Sequence, residues 1–134
     1  MDPDSLVEIQ LTMAERLLLR RGLGEWFGPA GCTEELAVAM DFLSVADLLE
    51  QERRIRSALE ASEPLSGRNW RRALVATEFV FASDVFGSGV EWSITTGLTD
   101  EETIKILRRL QRKLARAVPE ALYSHRRTVR PSER

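Results

Sequence analysis

Between Thr99 and Val118 the chain separates apolar from charged positions sharply. Leu107, Leu110, Leu114, Ala117 and Val118 fall on one side of a helical repeat, and Lys105, Arg108, Arg109, Arg112 and Arg116 fall on the other. Thr99-x-x-Glu102 is a capping box that opens this segment, and Pro119 ends or kinks it. The pattern predicts one amphipathic helix with a core stripe and a basic stripe.

The same patterning predicts four more helices upstream. Thr12-x-x-Glu15 is a second capping box leading into MAERLLLRR, with Gly22 as its stop. Thr33 caps a short helix, EELAVAMDF, whose Glu34 and Glu35 suit the positive end of the helix dipole. Ser44 caps a longer one, in which Val45, Leu48, Leu49, Ile55 and Leu59 share a face, and Ser62-Glu63-Pro64 breaks it. Residues 67–86 begin amphipathic and become apolar nearly all round from Ala73 to Phe86, which is the mark of a buried helix. LVATEFVF within it also fits a strand, but the length of the run favours helix.

The expected fold is therefore mainly α: about five helices packed around the central apolar helix 67–86. One short strand pair, between residues 7–11 and 90–95, is the extended element that the pattern allows. Residues 1–123 are expected to form a single domain, and residues 124–134, SHRRTVRPSER, a polar basic tail with too little apolar area to pack alone.

Charge changes this picture more than composition does. The net charge of −2 hides a split, with residues 105–134 carrying ten Lys or Arg against Glu120 and Glu133, and an excess of acid in the rest. Such asymmetry marks either a basic element that meets an acidic partner or one that docks over its own acidic body. Arginine outnumbers lysine 17 to 2, which reads as the codon bias of a GC-rich, bacterial genome. No apolar run is long enough to cross a membrane, and MDPDSLVEIQ lacks the order of a secretion signal. A single cysteine, Cys32, precludes an internal disulfide framework, so a cytoplasmic protein that does not engage membranes is expected.

Candidate chemistry is sparse. Glu78 lies among Val75, Phe79, Val80 and Phe81 with no cation one turn away, so burial demands a partner from another element, and an arginine is expected. Asp84 sits near a helix C-terminus, against the dipole, before Gly87-Ser88-Gly89. Trp26, Phe27 and Trp92 lie in Gly-rich loops and are expected to cover the core. Cys32 precedes the Thr33 cap, where a helix N-terminus can lower a thiol pKa, but the lone histidine, His125, lies in the tail, so no nucleophilic triad is expected and Cys32 reads as an ordinary small residue. Zinc-ligand spacings are missing, so no metal or cofactor is expected. Residues 35–49 have the outline of a helix-turn-helix, but Asp47, Glu50 and Glu52 in the would-be reading helix repel phosphates.

These features point to a small interaction or regulatory module, of adaptor or toxin-neutralising type. It would bind an acidic protein partner through Arg108, Arg109, Arg112 and Arg116. Nucleic-acid binding by the same helix and tail is the alternative. A small enzyme using Glu78 and Asp84 is third.

Overall fold

The computed structural model describes residues 2–26, 32–85 and 99–118, with side chains of the central helix described through Ala82. The chain forms β1 (Leu6–Val7), α1 (Met13–Glu25), α2 (Glu34–Ala39), α3 (Val45–Glu60), β2 (Leu65–Ser66), α4 (Gly67–Val85) and α5 (Asp100–Ala117). The mainly helical class, with five helices among the described residues, is as the sequence predicts.

Each expected cap forms. The Glu15 N–H donates to Thr12 Oγ1 at 3.1 Å while the Thr12 N–H donates to Glu15 Oε1 at 2.9 Å, closing the first capping box. Thr33 Oγ1 accepts from the Leu36 N–H at 3.2 Å and Ser44 Oγ from the Asp47 N–H at 3.0 Å. These contacts join residues three apart, so they form wherever the local chain is helical.

Gly22 does not stop α1, which runs three residues further, to Glu25. A Cβ on Gly22 would lie 2.3 Å from Thr77 Oγ1, so the glycine lets α1 and α4 approach closely instead of breaking the helix. Trp26 caps α1 and donates its indole N–H to the Ala76 carbonyl at 3.0 Å, covering the core as expected. Phe27 and Trp92 lie outside the described residues.

Helices α2 and α3 both end in a residue with positive φ. Asp41 (φ 79°) follows α2, where the Phe42 N–H reaches the Ala37 carbonyl and the Asp41 N–H reaches that of Val38. Ser62 (φ 59°) follows α3, where the Glu63 N–H reaches Ala58 and the Ser62 N–H reaches Leu59. Both are Schellman terminations built on residues other than glycine. The first ends α2 before Asp41 and Phe42, shortening the predicted EELAVAMDF helix.

A strand pair exists and involves the expected N-terminal segment, with a partner that the sequence pattern did not name. β1 pairs antiparallel with β2, Leu6 opposite Ser66 and Val7 opposite Leu65. The segment 90–95 lies outside the described residues. The Trp70 indole N–H donates to the Val7 carbonyl at 2.7 Å, which ties the N-terminal arm to the start of α4.

Helix α4 packs against α1, α5, α3 and β2, burying Trp70, Ala73, Leu74, Ala76, Thr77, Val80 and Phe81. α1 shares this central position, because it touches α4, α3 and α5. Arg16 Nη1 donates to the Leu59 carbonyl at 3.3 Å and Arg20 pairs with Glu60 at 2.8 Å, joining α1 to the end of α3.

Candidate partner-binding surface on the C-terminal helix

Helix α5 buries Thr103, Ile106, Leu107, Leu110 and Leu114 against α1 and α4. Its own capping box, with Thr99 N–H to Glu102 Oε1 at 2.9 Å and Glu102 N–H to Thr99 Oγ1 at 3.1 Å, sets where the helix begins. With one stripe committed to the core, the helical repeat turns Lys105, Arg108, Arg109, Arg112 and Arg116 outward, and all five are exposed.

The orientation is locked by a carboxylate that sequence reasoning treated only as a cap. Glu15 is fully buried, with Lys113 Nζ 2.6 Å from its Oε1 and Arg109 Nε 3.4 Å from its Oε2. Lys113 also donates to the Gln10 carbonyl at 2.8 Å. Burial alone would raise the Glu15 pKa, but Lys113, the Thr12 N–H and Arg109 outweigh it and hold the carboxyl below its ordinary value. One residue thus closes the N-terminus of α1 and clamps α5. The available signal was an acid at the first turn of one helix and two cations four residues apart on another.

The basic face divides accordingly. Arg109 serves the clamp, and Arg108 Nη1 donates to Gln111 Oε1 at 3.3 Å. Lys105, Arg112 and Arg116 have no ion-pair partner among the described residues. From Lys105 to Arg116 this ridge runs roughly 16 Å, at the rise of an α-helix.

Glu78 does not pair with an arginine. It is half-buried and its Oε2 accepts from Gln111 Nε2 at 2.7 Å, because the helical repeat turns it toward the edge of α5 and away from the core. Asp84 lies within α4, and its side chain is outside the described residues. Among the described residues the buried acids are instead Glu15 and Glu52. Glu52 forms an ion pair with Arg56 one turn away on α3, and its Oε1 has no hydrogen-bond partner among the described residues. Burial pushes its carboxyl up, opposed by Arg56 and Arg53.

Cys32 is not activated at the Thr33 cap. Burial and the nearby Glu34 carboxylate raise its thiol pKa, and the thiol donates to the Thr33 carbonyl at 3.3 Å. A thiol held protonated is a poor nucleophile. The acids of the would-be reading helix are used internally: Asp47 Oδ2 accepts from the Leu43 N–H, Glu50 pairs with Arg54 and Glu52 with Arg56. His125 and the tail lie outside the described residues.

A cleft of about 140 Å³ between the N-terminal arm and the end of α3 is lined by Glu8, Gln10, Arg16, Glu63 and Trp70, among others. It is roomy enough for a few waters and includes neither Glu78 nor Asp84. Among the described residues no group of three or more His, Cys, Asp or Glu could hold a metal ion, and no helix is long and apolar enough to cross a membrane. No protein family, curated protein or solved structure matches this chain.

Proposed function

We propose that this protein is a non-enzymatic, cytoplasmic interaction module of adaptor or regulatory type, capturing an acidic protein partner on the ridge of Lys105, Arg108, Arg112 and Arg116. The observation that carries this reading is the contrast within one helix. Two cations, Arg109 and Lys113, are drawn onto Glu15 and hold α5 in place, while Lys105, Arg112 and Arg116 are exposed without an ion pair among the described residues. Exposed ion pairs stabilise a fold by only about 0–1 kcal/mol each, so folding has little use for a further row of bases. Across an interface the same charges speed association and select the partner.

A protein partner is favoured over nucleic acid because the basic ridge is short and begins beside exposed acids, Asp100, Glu101 and Glu102. Those acids would repel a phosphate backbone that continued along the helix. A poly-glutamate peptide titrated into the protein should shift the backbone amide signals of residues 105–116. Arg108→Glu with Arg112→Glu should weaken binding at least about tenfold, the equivalent of about 1.4 kcal/mol, while leaving the unfolding midpoint nearly unchanged. Tighter, steeply salt-dependent binding of duplex DNA or single-stranded RNA would replace this reading with the nucleic-acid one. Loss of folding in the charge-reversed variant would reduce the ridge to scaffolding.

A further inference from the structure

The corner between α2 and α3 is held at almost every backbone position, yet it presents an apolar side chain to water. The Arg72 guanidinium donates from Nε to the Asp41 carbonyl at 2.8 Å and lies 4.7 Å from the centre of the Phe42 ring. The Leu43 N–H donates to Asp47 Oδ2 at 2.9 Å and the Val45 N–H to Glu34 Oε1 at 3.0 Å. Asp41 is fixed at positive φ. On this rigid frame Leu43 is 84% exposed and Val38 52% exposed. A rigidly held, exposed leucine loses little further backbone freedom on binding, which is what an interface anchor needs.

We infer that this corner is a docking surface with Leu43 at its centre, and that its occupant is the basic α5 ridge of a second copy of the chain. The inference rests on the reading of that ridge as a site for an acidic partner, and it names the partner. Charge complementarity carries it. Of the six acids in residues 33–52, Asp41, Asp47, Glu50 and Glu52 already serve Arg71, the Leu43 N–H, Arg54 and Arg56, which leaves Glu34 and Glu35 to face a partner. Glu34 and Glu35 are exposed beside Val38, and Glu35 has no ion-pair partner among the described residues. On the ridge, Ile104 is 45% exposed next to Lys105 and Arg108, whose aliphatic stems can cover a leucine while their heads reach carboxylates.

The two surfaces lie on different parts of the fold. α2 packs on α3, α5 packs on α1 and α4, and no ion pair among the described residues joins 33–52 to α5. The contact is therefore heterologous and links copies head to tail. The area on each side is small, so association is weak and salt-sensitive.

Sedimentation of the full chain, with a reductant present to exclude Cys32 disulfides, tests this. The protein should associate with rising concentration at low salt and dissociate at about 1 M salt. Arg108→Glu with Arg112→Glu removes the ridge, and Leu43→Asp removes the anchor. Each variant alone should be monomeric with near-unchanged thermal unfolding. An equimolar mixture should form dimers and nothing larger, because only the wild-type ridge of one variant and the wild-type corner of the other remain. A wild-type chain that stays monomeric, or association that survives both variants, overturns the inference. So does a mixture that remains monomeric. The poly-glutamate titration reads the ridge without self-association, so its outcome separates failure of this inference from failure of the ridge as a binding site.

Discussion

Gly22 of α1 lies directly against the Thr77 side chain of α4. A Cβ on Gly22 would meet Thr77 Oγ1 at 2.3 Å and its Cβ and Cγ2 at 2.8 Å, and Thr77 is itself fully buried and hydrogen-bonded to the Ala73 carbonyl. Backbone of one central helix therefore rests on a side chain of the other.

Gly22→Ala tests that contact against helix propensity. Alanine favours a helix interior by about 1 kcal/mol over glycine, whereas overpacking a tight interface costs about 1–3 kcal/mol. The expected result is net destabilisation, seen as a lower urea midpoint. Thr77→Ala removes two of the three clashing atoms, so the double variant should recover part of the loss.

Ser62 tests the opposite case. Its φ of 59° strains any residue with a Cβ, by about 1–2 kcal/mol. Ser62→Gly removes the strain but adds about 0.5–1 kcal/mol of unfolded-state entropy. A gain of about 0.5 kcal/mol in urea unfolding is expected. Asp41→Gly should gain less, because it also loses the contact 3.8 Å from Arg71 Nη1.

Glu15 makes stability depend on acid. Its folded pKa is lowered, so the unfolded chain takes up the proton first as pH falls. The stabilisation is complete above the ordinary glutamate value and is lost as pH drops through the lowered folded value. Glu15→Gln should destabilise by about 1–3 kcal/mol at neutral pH, leaving two cations without their carboxylate. It should also flatten the acid limb of a plot of unfolding free energy against pH. Exchange at the amides of α5 should rise more than at those of α3.

Glu52 should behave with the opposite sign. Burial raises its folded pKa, so above that value the buried charge costs stability, and the cost disappears as pH falls toward the ordinary glutamate value. Arg56 is 38% exposed and can turn to water when its partner is neutral. Glu52→Gln should be neutral or stabilising at pH 7 by thermal unfolding, in contrast to Glu15→Gln.

Four helix starts are legible in the chain because they rest on local contacts. Thr12, Thr33, Ser44 and Thr99 act on N–H groups three residues away, and the core stripe of α5 follows from the helical repeat; both depend on neighbours in the chain. The sequence also placed Lys105, Arg108, Arg112 and Arg116 on one outer face. Tertiary structure decided what those local patterns leave open. Gly22 is a C-terminal signal until Thr77 packs against it, and Glu15 is only a cap until α5 brings Lys113 and Arg109 to it. The expected arginine for Glu78 proved to be Gln111, because the meeting of α4 and α5 is set by burial of their apolar stripes. Likewise β1 found its partner at Leu65–Ser66, where the start of α4 and Trp70 bring the chain back beside Val7. Contacts between residues distant in sequence depend on how whole faces pack, and periodicity within one segment carries no record of which face it will meet.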